Sequence, residues 1–394
     1  MERTTISRAE IAAIARQGAE KSFDAQMTLL SKFCGINCGT HNLEGNRKVV
    51  ALVDAVLAEI GASVEHIHSE GVGTHIVARI APEDPQGRII LHAHLDTAFF
   101  GDGAKVEDHP FRIEGEHAYG LGIADCKGGV ATILYAVKAL KEAGLLPPKE
   151  IVMLFNCDEE VGSPTGRAIF QREAPSAEAI ISFEPGRKQN GVLTARRGLA
   201  IGKIRVHGIA AHAGLDSGIG ASATRELANL IVQLTARSDL SIGMNYNIAP
   251  ISGGSNSAIV ADYAEASFCV PLDTPEVYER VQKDVLEDLP TWGIVEGCTI
   301  ETELGIMCPP MPRCEENIRV YGHLKAAADL LGLPLPEEKS FNPADCGIFS
   351  EINRAVVDGL GPYMYDIHTP GEHMRIETLK ERTALLIATL AMYP

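Results

Sequence analysis

The chain has 394 residues, 45% hydrophobic and 22% charged, a balance that suits a soluble globular protein of two domains, or one large domain with an insertion, and excludes disorder. Its formal net charge of −17 at pH 7 argues against nucleic acid or an anionic membrane as a partner, since both select clustered Lys and Arg. The N-terminus MERTTISRAEIAAIARQGAEK lacks the apolar core of a signal peptide, no run of about 18 apolar residues occurs, and nine cysteines without a CxxC pair read as reduced thiols, so a cytoplasmic protein is expected.

The first predicted element is a long helix opened by a Ser7/Glu10 capping box, with apolar residues at helical spacing behind it. Three short β-rich apolar runs follow: RIILHAHLD (88–96), EIVMLFNCDEE (150–160) and EAIISFEPG (178–186). A helix beginning near DCKGG (125–129) and stopping at Gly144 separates the first two. Strand, helix, strand implies parallel pairing, and sites in open α/β sheets form at the carboxyl ends of the strands. All three runs end in His, Asp or Glu.

The middle of the chain reads as β-α-β-β-α-β, with strands at 199–206, 245–251, 263–270 and 298–304 and helices at 222–237 and 276–289, the order of a split βαβ sandwich able to fold alone. Amphipathic helices return after it. The expected fold class is therefore α/β: a mostly parallel-sheet catalytic domain with helices on both faces (1–196 and 309–394), interrupted by an α+β lid or dimerisation domain (197–308).

Chemistry-bearing residues collect at five places on the outer domain. HAHLDTA supplies His94 and Asp96, an H-x-D pair in which the carboxylate can hold one imidazole nitrogen while the other binds a metal. YGLGIADCKGG supplies Asp125 at a helix start, DEE supplies Glu159 and Glu160, SFEPG supplies Glu184, and DIHTPGE supplies His368. Two histidines and several carboxylates suit divalent Zn, Mn or Co better than a soft metal.

In this order the residues resemble the di-metal hydrolases of metallopeptidase family 20, which include glutamate carboxypeptidase, aminoacylase, acetylornithine deacetylase and succinyl-diaminopimelate desuccinylase. The resemblance runs from about residue 40 to the C-terminus. It implies two divalent cations bridged by Asp125, one completed by Glu160 and His368 and the other by His94 and Glu184, with Asp96 orienting His94. The carboxylates at 158–160 would be stabilised by these dications. Glu159 would be the general base that takes a proton from the attacking water and returns it to the leaving nitrogen. In GIAAHAG, His212 resembles the family's lid histidine, which stabilises the oxyanion, often from the partner subunit, and so implies a homodimer.

Two departures bear on the substrate. Where relatives that grip an α-carboxylate carry an Asn and an Arg, this chain has Ala258 and Pro271, which removes strong carboxylate contacts. Arg196, Arg197 and Asn256 are the candidates to compensate. The leading expectation is hydrolysis of an amide in an N-acyl amino acid or small peptide-like compound. Two alternatives stand beside it: hydrolytic deamination of an aryl amine such as 5-nitroanthranilate on the same site, and a catalytically inactive binding or scaffold protein. Cys126, beside Asp125, is read as packing under the site.

Overall fold

The computed structural model describes residues 6–98, 105–187, 190–215 and 218–394. The chain divides into two compact units: one runs up to Ala195 and resumes at Arg313–Lys339 and Ala344–Pro394, and the other comprises Arg196–Pro312 and Ser340–Pro343.

The first unit is built on a six-stranded sheet in the order Ser63–Ile67, His75–Ile80, Glu150–Asn156, Arg88–His94, Ala179–Ser182, Val356–Val357. The last four strands are mutually parallel and the first two run antiparallel at one edge. Successive side chains point to opposite faces and both faces are covered, so the central strands are apolar but for His92 and their end residues. Ile89, Leu91 and Ala93, with Ile151, Met153 and Phe155 of the neighbouring strand, join a core that includes Leu30 and Phe33 of the helix Arg8–Cys34, Ile133 of Gly129–Glu142 and Leu386 of Ile376–Ala391. The opposite face carries His92, whose ring meets Phe170 and Phe349 edge-on at 5.5 and 5.0 Å, side chains of two other helices, Gly166–Glu173 and Asp345–Ile352. Both faces are thus covered. The first helix has the capping box its sequence announces: Ser7 Oγ accepts from the Glu10 N–H, and Glu10 Oε2 accepts from the Ser7 N–H at 2.8 Å.

In the parallel register His94 lies opposite Asn156 and His92 opposite Ser182, so the carboxyl ends of three strands come level. A small antiparallel sheet in the order Met364–Tyr365, His373–Arg375, His117–Tyr119, Arg112–Glu114 stands in the same unit. Its pairing of His117–Tyr119 with His373–Arg375 draws the turn after Tyr119 and the loop before His373 together.

The second unit is a four-stranded antiparallel sheet, Asn247–Gly253, Tyr263–Leu272, Gly198–His207, Thr299–Cys308. In Tyr263–Leu272 every second residue, Ala264, Ala266, Phe268, Val270 and Leu272, is buried. They meet Leu227, Leu230 and Leu234 of the helix Ala223–Thr235 in a core separate from that of the first unit. The expected helix at 276–289 is regular only over Pro275–Gln282 and continues through irregular turns to Thr291. The sequence offered no sign that Ser340–Pro343 belongs here. That segment is held by Arg196, whose Nη1 donates to the carbonyls of Asn342 and Pro343, both at 3.3 Å, and by the Arg197 N–H on the Ser340 carbonyl at 3.1 Å.

All nine cysteines are free thiols. No helix among the described residues is long and apolar enough to cross a membrane.

Candidate metal centre

His94 closes the strand Arg88–His94 and is fully buried. Its Nδ1 faces the Asp96 carbonyl at 3.0 Å and the Asp96 Oδ1 at 3.4 Å, which leaves Nε2 to face Asp125 Oδ1 at 3.0 Å and Glu184 Oε1 at 3.5 Å. The nearer acceptor for Nδ1 is thus the backbone of Asp96, whereas the sequence pointed to its carboxylate. That carboxylate has more to do: it accepts from Thr40 Oγ1 at 2.7 Å and from the N–H groups of Glu159 and Glu160, each at 3.2 Å. One residue therefore sets both the imidazole and the acidic turn.

Asp125 stands at the centre. Its Oδ1 faces His94 and its Oδ2 faces His368 Nε2 at 3.2 Å, and His368 is in turn 3.5 Å from Glu160 Oε2. Two donor sets result, His94 with Glu184 and His368 with Glu160, and Asp125 is common to both. The ligand atoms of His94, Asp125 and Glu160 lie within 4.8 Å of one another, as do those of His94, Cys126 and Glu184. Cys126 spends its thiol on the Phe183 carbonyl at 2.9 Å.

The electrostatics of this cluster ask for positive charge. Burial, reinforced by Glu184, pushes the Glu159 carboxyl well above the usual carboxylate range. Glu160 is pushed up to about 9 by burial and by Asp125. Asp125 goes the other way: burial opposes its charge, but the hydrogen bonds of His368 and His94 outweigh burial and hold it low. His368 is raised to about 9, chiefly by its bond to Asp125. Glu160 Oε1 is buried with no hydrogen-bond partner among the described residues, a condition that costs on the order of 1–3 kcal/mol or more for a polar atom. Oxygen and imidazole donors in this number suit divalent first-row cations. The residues present fit a pair of them.

Asp158 departs from expectation. It is fully buried, but its Oδ2 accepts from Thr165 N–H at 2.7 Å, Thr165 Oγ1 at 2.7 Å and Gly166 N–H at 3.0 Å. The first carboxylate of the DEE run is satisfied by the start of the next helix and requires no cation. Behind it, Asp345 accepts from Asn156 Nδ2 at 2.6 Å and Ser163 Oγ at 2.5 Å, which ties the acidic turn to the helix Asp345–Ile352.

Sequence reasoning also passed over Glu372, which is 1% exposed and accepts from the backbone N–H groups of Gly122, Ala124 and Asp125 at 2.9–3.0 Å. Burial raises it to about 7 against the pull of those three donors. Its only signal was an acid four residues after His368.

The remaining candidates lie in the second unit. The exposed His212 has its Nδ1 set 3.1 Å from the N–H groups of both Gly214 and Leu215. Two donors on Nδ1 leave the neutral ring its proton on Nε2. Asn256 Oδ1 accepts from the Ala258 N–H at 2.8 Å, and the Ala258 carbonyl takes the N–H of Ala213, beside His212. Arg196 is buried and holds the 340–343 segment, while Arg197 pairs with Asp273 and lies 4.7 Å from the Phe341 ring centre. Both guanidiniums, expected to be available to substrate, have internal partners.

A profile of peptidase family M20/M25/M40 matches residues 90–392, a span that contains every residue of the cluster. The chain belongs to peptidase family M20/M25/M40. Members of this family are metal-dependent hydrolases of amide bonds, of carboxypeptidase and deacetylase types. Carboxypeptidase G2 of Pseudomonas sp. (strain RS-16) is 33% identical over 275 residues, 69% of this chain and 65% of that one. Aminopeptidase PepT from Bacillus cereus ATCC 10987 has the same fold, with a TM-score of 0.77 at 21% identity over 95% of this chain and 98% of that one. So has a Bacillus subtilis protein described as a dinuclear metal binding peptidase of the M20 family, with a TM-score of 0.69 at 14% identity over 94% and 98% of the two chains.

Proposed function

We propose that this M20/M25/M40 peptidase-family chain hydrolyses the C–N bond of an N-acyl amino acid or small peptide-like amide at a pair of divalent cations held by His94, Asp125, Glu160, Glu184 and His368. The observation that carries the reading is the Asp125 carboxylate, set with one oxygen on each histidine. The bound pair would lower the pKa of a water and polarise the amide carbonyl.

The chain's own groups supply the proton traffic. Glu159 follows Asp158 in the acidic turn, and its backbone N–H is fixed by Asp96. With cations bound nearby its carboxyl would be ionised despite burial, and Glu159 would take the water's proton and then deliver it to the leaving nitrogen. His212 would donate from Nε2–H to the developing oxyanion, since Nδ1 is committed to two backbone donors.

The same reading holds that His212 acts from the partner subunit of a homodimer. The edge strand Asn247–Gly253 is exposed except at the half-buried Ile248, with Ile251 at 57% and the nearby helix residue Val232 at 69% exposure, features of a sheet edge that awaits a partner. His212→Ala is expected to lower kcat by roughly 10²–10³, the range for one oxyanion donor. Mixing His212→Ala with Glu159→Gln subunits should then restore activity, because one of the two sites in the mixed dimer receives both intact residues. No recovery on mixing would overturn action across the dimer.

Cation binding must also displace protons. Glu160 and His368, each raised to about 9, hold protons at neutral pH and must lose them to act as ligands. Affinity should therefore climb as pH rises from about 7 towards 9, with proton release visible by calorimetry in buffers of different ionisation enthalpy. Affinity that is flat across that window would remove both residues from the ligand set.

The substrate experiment is a screen of N-acyl amino acids, dipeptides and amino-substituted aromatic acids with metal-loaded protein. Turnover of the first two groups supports amide hydrolysis. Ammonia release from the aromatic amines alone would replace it with aryl-amine deamination.

A further inference from the structure

Asp125 is carried by the turn Ile123–Gly128 between the strand His117–Tyr119 and the helix Gly129–Glu142. A turn of this length has few bonds of its own, yet it must present a carboxylate with one oxygen to His94 and the other to His368. Gly122 enters it at φ +67°, where a Cβ would lie 2.4 Å from Thr97 Cγ2. The Lys127 N–H donates to the Gly122 carbonyl at 3.1 Å, and further bonds come from elsewhere in the chain. Glu372 Oε2 accepts from Gly122 N–H at 3.0 Å, and Oε1 accepts from Ala124 N–H at 2.9 Å and Asp125 N–H at 3.0 Å. The Glu372 main chain adds two bonds: its carbonyl accepts from Gly120 N–H at 3.2 Å, and its N–H donates to the Thr369 carbonyl at 3.1 Å. A single residue thus grips the Asp125 turn with its side chain and the His368 loop with its backbone.

From this geometry we infer that Glu372 is the positioning residue of the centre, holding Asp125 at the bridging attitude and in step with His368 without itself touching a cation. The inference rests on the metal-centre reading above. A carboxylate suits the task because it is acceptor-only and offers both oxygens to a fan of N–H groups. Glutamine keeps the shape but turns an NH₂ towards one or more of those donors.

The test compares wild type with Glu372→Gln by two measurements: Mn²⁺ titration of the metal-free protein, and amide hydrogen exchange of a peptide covering 119–128, also without metal. The expected result is Mn²⁺ affinity lower by roughly 10–100-fold, the usual cost of losing a group that orients a ligand, with faster exchange confined to that peptide. Unchanged affinity overturns the inference. So does weaker binding without faster exchange, since Glu372 would then act by its charge and not by position. If wild type itself takes up no Mn²⁺, the metal-centre reading fails, and the exchange measurement alone decides whether Glu372 holds the turn. Should Glu372→Gln fail to fold, Glu372→Asp, a methylene too short to span all three N–H groups, is judged on the same outcomes.

Discussion

Glu159→Gln is expected to keep two metal ions per chain and to lose about 10²–10⁴ in kcat, the range for a positioned acid–base group. The substitution is nearly isosteric and leaves the Asp96 bond to the residue 159 backbone in place. Glutamine can neither accept a proton from water nor return one. Three carboxylates stand close enough to influence Glu159, namely Glu184, Asp345 and Glu160, and Asp345 has its oxygens engaged by Asn156 and Ser163. Burial already favours the neutral carboxyl at Glu159 in the metal-free state, so the neutral amide should disturb that state little. Elemental analysis beside steady-state rates separates the two effects: full activity with full metal would end the assignment of Glu159, and loss of both would move it among the ligands.

Asp125→Asn should act on metal content itself. The amide supplies one oxygen where two histidine-facing oxygens stood at 3.0 and 3.2 Å, so the pair loses its shared anion. The expected result is fewer than two ions per chain after dialysis, with activity falling at least as far as in Glu159→Gln. Excess Zn²⁺, Mn²⁺ or Co²⁺ that restores activity only partly would agree with this. A variant that retains two tightly held ions would show that the cations sit elsewhere.

Much of this arrangement was legible because strand ends are. Apolar runs such as RIILHAH announce a strand buried on both faces, and polar residues that close them must gather at one edge of a parallel sheet. His94, Glu159, Glu160 and Glu184 follow from that rule, Asp125 shows at a helix start and His368 in DIHTPGE, and the resemblance supplies the role of each. What could not be read were partners made by distant backbone. Arg196 looked like a substrate clamp because nothing local claimed it, yet its acceptors are the carbonyls of Asn342 and Pro343. Arg197 was equally open until Asp273 came beside it. Asp158 looked like its neighbours, but which of the three acids turns away from the metal-ligand cluster depends on where Thr165 and Gly166 present their N–H groups. Glu372 recognises main-chain atoms of Gly122, Ala124 and Asp125, a use that leaves no mark on residue type.

The contact between Asp125 and His368 joins positions 243 residues apart in the chain. A cation bound there would be a clasp on a very long loop that includes all of the second unit. Cations that bind the folded chain and not the unfolded one shift the folding equilibrium in proportion to the logarithm of their concentration. With such a clasp, a melting temperature measured for this protein would be a statement about the buffer's metal as much as about the polypeptide, and a chelator in the purification would change it before any residue had been altered.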